Sequence, residues 1–133
     1  MAVSPSIGSS GVTSFAVSNG NDAVFSMEPR NGADYKYINS LSIHLVPSTS
    51  GLSTLTLSIY LMTKAPTSAA ELQASGRPIM VGAQVAQLAT LDPIEMRVPL
   101  NLSRNDTYPV IGCLLNETSL AAWQGFAGLI LDY

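Results

Sequence analysis

The stretch Leu52 to Met62, LSTLTLSIYLM, decides the fold. Leu55, Leu57, Ile59 and Leu61 fall on one parity, and Thr54, Thr56, Ser58 and Tyr60 on the other. A period of two over this many residues is the signature of a β-strand with one buried face. The preceding stretch, YINSLSIHLV (37–46), repeats the pattern. Leu41, Ile43 and Leu45 alternate with Ser40, Ser42 and His44. PSTSG (47–51) separates the two. The partly polar second face predicts that they form an antiparallel pair with one side turned to solvent or to a polar interface.

The same chemistry extends outward in both directions. VTSFAV (12–17) and AVFSM (23–27) flank SNGND, whose Asn19-Gly20 is the strongest hairpin dipeptide, so these two strands are expected to pair. EPRNGADYK (28–36) reads as a loop. RPIMV (77–81) reads as a short edge strand limited by Pro78, and QVAQLATL (84–91) as a separate strand. IEMRVPL (94–100) alternates Ile94, Met96, Val98 and Leu100 inward with Glu95 and Arg97 outward, and Pro99 marks an edge. NLSRND (101–106) reads as a loop. YPVIGCLL (108–115) is almost wholly apolar, as a central strand covered on both sides must be. NETSLAAWQG (116–125) could hold a turn of helix, and FAGLILDY (126–133) is the last strand. One helical signal interrupts this series. In APTSAAELQASG, Ser68 and Glu71 have capping-box spacing and Gly76 stops the helix, which is expected to be a short crossover between strands.

About eight short strands without repeats or a linker predict an all-β protein. The expected architecture is an antiparallel two-sheet sandwich of jelly-roll or Greek-key topology, with one short crossover helix. Residues 1–11 read as an irregular N-terminal arm and 12–133 as a single sandwich domain.

Composition narrows function. The chain has 133 residues, of which 11% are charged, against a usual share of about 25%. Its six Lys and Arg are scattered, so nucleic-acid binding is not expected. No apolar run approaches a membrane span, and MAVSPSIGSS lacks the charged and apolar regions of a signal peptide. A mean hydropathy of +0.28 is the opposite of the disordered signature. Lone Cys113 reads as a small buried hydrophobe. With one His and one Cys, a zinc or non-haem iron centre is not expected, and no cofactor is implied.

Catalytic patterns are equally sparse. His44 shares a strand face with Ser40 and Ser42, but no nucleophile-elbow G-x-S-x-G exists, so it reads as a surface or interface histidine. Nothing selects a catalytic pair from the nine carboxylates; Asp92 with Glu95 and Asp106 with Glu117 are no more than turn and loop residues. Asp22, Asp34 and Asn31 read as turn formers rather than calcium ligands. The sequons at Asn101, Asn105 and Asn116 matter only in a secretory pathway. Tyr35 and Tyr37 share parity and could form a small aromatic platform for a sugar, with Trp123 and Tyr108 as further candidates.

A small, low-charge, Ser/Thr/Ala-rich sandwich with a loose N-terminal arm resembles the jelly-roll cement and decoration proteins of tailed-phage heads. The resemblance covers the whole chain and lies in size, strand pattern and composition, without a diagnostic motif. It implies a non-enzymatic virion protein at the capsid surface, made in the host cytoplasm. It would bind the major capsid protein and act as a homodimer or homotrimer, many weak contacts adding up on a symmetric lattice. The expected contact residues are Ile7 and Val12 at the arm, and Trp123, Phe126 and Tyr133 near the C-terminal end. A shell-forming jelly-roll coat protein is a close variant, less favoured because such coats commonly carry a basic arm. A carbohydrate-binding module is the alternative from another class.

Overall fold

Val110 to Leu115 is buried at every position, as its unbroken apolar sequence requires. It belongs to the strand Val110–Glu117, which lies at the centre of a five-stranded sheet. The computed structural model describes residues 6–8, 12–17, 22–29, 35–47, 53–88, 93–117 and 123–132. In chain order the strands are β1 (Ser6–Gly8), β2 (Val12–Val17), β3 (Ala23–Met27), β4 (Tyr37–Pro47), β5 (Ser53–Met62), β6 (Arg77–Leu88), β7 (Ile94–Ser103), β8 (Val110–Glu117) and β9 (Trp123–Asp132). Helix α1 (Ala69–Ser75) stands between β5 and β6.

The first sheet has the order β1-β3-β8-β5-β6, and the second β2-β9-β4-β7. The pairings are antiparallel, except that β1 runs parallel to β3. From β2 to β9 the chain changes sheet at every connection but one, β5 to β6. That alternation is the jelly roll, and it resolves the topology that the sequence left open. It also corrects two expected pairings. Strands β2 and β3 are not a hairpin, because β2 pairs with β9 and β3 with β8. Strands β4 and β5 lie in opposite sheets, so their leucine and isoleucine faces meet across the core. Ser6–Gly8 is a strand within the segment read as an irregular arm.

The expected inner residues form the core. Leu41, Ile43, Leu45, Leu55, Leu57 and Ile59 are fully buried together with Phe25, Met27 and Cys113. Burial pushes the Cys113 thiol far up, so it behaves as the apolar filler expected. Strand β7 runs on through Ser103 where a loop was expected. Asn101 takes a left-handed φ of 51° while the inward set continues through Leu100 and Leu102. The segment read as two strands around residue 82 is one edge strand, β6. Gly82 bends it with φ 63°, and its N–H donates to Ser58 Oγ at 2.9 Å. Of the segment 116–125, read as able to hold a turn of helix, residues 116–117 end β8 and 123–125 open β9, and 118–122 lie outside the described residues.

Helix α1 connects two strands as expected, β5 and β6, which pair directly with one another, and it is laid on the outer face of the first sheet. Ser68 caps it by accepting from the Glu71 N–H at 3.1 Å, while the Glu71 carboxylate accepts from the backbone N–H and hydroxyl of Thr67. Leu72, fully buried, closes a second small core with Val24, Tyr60, Met62, Val110 and Leu114. Two glycines make the fit possible. A Cβ on Gly112 would stand 2.6 Å from Leu72 Cδ2, and one on Gly76 would stand 2.4 Å from the Leu72 carbonyl. Gly76 is therefore required at the helix end for space and not for conformation, since its φ of −81° is open to any residue.

Candidate functional site

Among the described residues, nothing covers the outer face of the second sheet in this way. Register sets its composition. Ser42 stands between Arg97 of β7 and Gly128 of β9, and His44 between Glu95 and Phe126. These residues, with Leu129 and Ile130, line a shallow cleft of about 340 Å³. Its floor is made by the small residues Ser42 and Gly128. Phe126 and Ile130 stand on either side of Gly128 along β9, and the charged pair Glu95 and Arg97 forms the rim on β7.

His44 stacks on Phe126 with ring centroids 4.5 Å apart and planes 14° from parallel. Both rings stand on neighbouring strands, so they turn faces to one another and edges to solvent. Phe126 remains 48% exposed, and Tyr37 and Val46 on the same sheet are each 50% exposed. His44 Nε2 lies 3.3 Å from Ser42 Oγ and 3.9 Å from Glu95 Oε1. A Ser-His-carboxylate triad requires the nucleophile on one ring nitrogen and the carboxylate on the other. Here both meet the same nitrogen, so the imidazole cannot accept the serine proton while being oriented by the carboxylate. The other serine read on this face, Ser40, is buried at 1% exposure, beside a step in the β4 register between Ile38 and Ser40. Among the described residues no acid pairs with Arg97, and no three His, Cys, Asp or Glu side chains gather as a metal site.

The expected contact residues separate. Phe126 is on the open face. Val12 opens β2 across from Gly128, and Trp123 opens β9 across from Val17 and Pro47. Ile7 is in the other sheet, in register with Ser26. Tyr133 lies outside the described residues. The tyrosine platform does not form. Strand β4 begins only at Tyr37, and Tyr35, still in the loop, turns into the core at 8% exposure. The Arg104 guanidinium stands 5.1 Å from its ring centroid. Burial raises the Tyr35 hydroxyl, opposed by Arg104. Of the residues read as turn formers, Asp22 accepts from the Asn116 amide, while Asn31 and Asp34 lie outside the described residues; Asn105 closes an Asx turn by accepting from the N–H groups of Thr107 and Tyr108.

No protein-family model matches the chain, and no curated relative matches it by sequence. Several solved structures show a partial likeness to it. A chain of the infectious bursal disease virus T13 particle is 19% identical over 92% of this chain and 32% of its own, with a TM-score of 0.40. A chain of the Triatoma virus empty capsid is 8% identical over 90% and 87%, with a TM-score of 0.41. TmCBM61, solved in complex with β-1,4-galactotriose, is 11% identical over 92% and 66%, with a TM-score of 0.39. The chain thus spans about a third of the first of these. At such identities none of them assigns a residue or a role here.

Proposed function

We propose that this chain is a non-enzymatic structural protein of a virion, a cement or decoration subunit that holds neighbouring shell subunits together. The observation that carries the reading is the open outer face of the second sheet. It keeps Phe126, Val46 and Tyr37 half-exposed on a chain with few charges to keep such a surface apart from others. The opposite outer face spends a helix on covering the equivalent surface. The arrangement around His44 supports the non-enzymatic part, because the only Ser-His-carboxylate grouping seen has one ring nitrogen serving both partners. A shell built of repeated copies suits weak faces of this kind, since each contact is multiplied by the lattice.

A sugar-binding module is the competing reading, favoured by the cleft that places Arg97, Glu95 and Ser42 beside Phe126. Native mass by light scattering on the full chain separates the two. A discrete dimer or trimer is expected. A monomer at every concentration that binds a glycan array, with binding removed by Arg97→Ala, would replace the shell reading with the sugar reading.

A further inference from the structure

The edge of the second sheet carries a self-complementary segment. Strand β7 lies at that edge, with β4 on one side. From Pro93 the sequence reads Pro93-Ile94-Glu95-Met96-Arg97-Val98-Pro99. Read from Met96 in both directions, it meets Glu95 against Arg97, β-branched Ile94 against β-branched Val98, and Pro93 against Pro99. Its register against β4 is unbroken from Ile94 to Pro99, and burial alternates, with Glu95 and Arg97 exposed and Ile94, Met96 and Val98 half-buried. Backbone polar groups of one strand alternate sides, and a proline inside an edge strand turns its missing N–H outward. By that parity Glu95 and Arg97 also aim their N–H and C=O groups at the open edge.

We infer that β7 pairs with β7 of a second copy about a two-fold axis at Met96, joining the two second sheets into one. This deepens the shell reading proposed above and rests on it for the homo-oligomer. In this antiparallel register Glu95 of each copy stands directly opposite Arg97 of the other. Each such pair exchanges both backbone hydrogen bonds and adds an opposite-charge cross-strand contact. The segment is thus an isologous interface, one patch meeting itself. Pro93 meets Pro99 at both ends, where neither can donate. The prolines therefore end the ladder and restrict it to one closed register, in place of the open-ended growth that exposed edges invite. Among the described residues Arg97 has no acidic partner, and the one ion pair of Glu95 is the 3.9 Å approach of His44. The other long edge, β6, offers no comparable run, being interrupted by Pro78 and by the bend at Gly82. The paired sheets set two clefts side by side, since Glu95 and Arg97 are rim residues of each.

Charge reversal tests this on the full chain by sedimentation equilibrium. Arg97→Glu alone and Glu95→Arg alone each set like charges opposite one another and are expected to weaken dimerisation about tenfold. The double variant Glu95→Arg/Arg97→Glu restores opposite pairs and is expected to restore the dimer. Both positions are exposed, so the fold is retained. Met96→Cys adds a geometric check. Its Cα stands opposite its own copy in a non-hydrogen-bonded pair, about 4.5 Å away, so mild oxidation is expected to yield a covalent dimer. The native Cys113 is buried and does not compete. A wild-type oligomer indifferent to both single reversals, or unrescued by the double variant, would overturn the edge pairing and leave the shell reading standing. A wild-type chain monomeric at every concentration would overturn the pairing and the homo-oligomer together.

Discussion

The two outer faces of the sandwich solve the same problem in opposite ways. On the first sheet, Val24, Tyr60, Met62, Val110 and Leu114 face away from the main core and are buried all the same, because α1 seats Leu72 over them. Gly112 and Gly76 supply the clearance, and a capping box starts the helix where it is needed. On the second sheet, Phe126, Val46 and Tyr37 are half-exposed, with no element laid across them among the described residues. Small residues at Ser42 and Gly128 leave a cleft there, where Gly112 on the first sheet accommodates a leucine. The difference teaches that outward apolar residues are not by themselves a binding surface. Under the proposed reading they become one only where the described chain lays nothing over them.

Substitutions that disturb the covered face should cost stability, and those on the open face should cost association. The largest effect is expected for Leu72→Ala, which opens a void in a fully buried cluster and should destabilise by about 2–5 kcal/mol in chemical denaturation. Gly112→Val is next. Its added atoms collide with Leu72 and Met62, which should cost about 1–3 kcal/mol and release α1, detectable as faster hydrogen exchange over residues 69–75. Ser68→Ala removes the cap and should cost about 1 kcal/mol by the same measurement. The smallest effect is that of pH on the same helix. Hydrogen bonds from Thr67 lower the Glu71 pKa below its ordinary value of 4.5. A carboxylate held low in the folded state stabilises above its unfolded pKa, and that contribution fades as pH falls through the folded value. Protection of the α1 amides, referred to the intrinsic exchange rate at each pH, should therefore fall slightly below pH 4.5, and Glu71→Gln should remove that dependence. If the open-face substitution below proved as destabilising as Leu72→Ala, the contrast between the faces would fail.

Much of the architecture was legible because β-strands write their burial at period two. Leu55, Leu57, Ile59 and Leu61 announce an inner face, Ile94 to Leu100 announces an edge with Pro99, and the unbroken run before Asn116 announces a strand covered twice. Pairing was not legible. Asn19-Gly20 signals a turn, but a turn signal does not say whether the next strand joins its neighbour or crosses to the facing sheet, as β3 does. Gly82 made one bent strand resemble two, since a positive-φ glycine inside a strand has the same sequence appearance as a break. The covering of the Thr/Ser/Tyr face of β5 was missed for a related reason. Tyr60 looks solvated on parity, but it is buried in the cluster that Leu72 of α1 closes, and Ser58 is buried where its hydroxyl accepts from the Gly82 N–H. Of the site, Phe126 could be picked out as an aromatic in the last strand. Its stacking on His44, the notch at Gly128 and the rim of Glu95 and Arg97 depend on register between β4, β7 and β9, which no single strand encodes. The tyrosine platform failed at a boundary, because parity holds only inside a strand and Tyr35 precedes the first residue of β4.

The central claim is that the open face of the second sheet works in association while the covered face works in stability. Phe126→Ser tests it most directly, with light scattering at graded concentrations and thermal unfolding measured on the same samples. The expected result is a folded chain whose stability changes by less than about 1 kcal/mol, and whose rise in mass with concentration is flattened relative to wild type. Association unchanged from wild type, or unfolding as severe as that of Leu72→Ala, would contradict it.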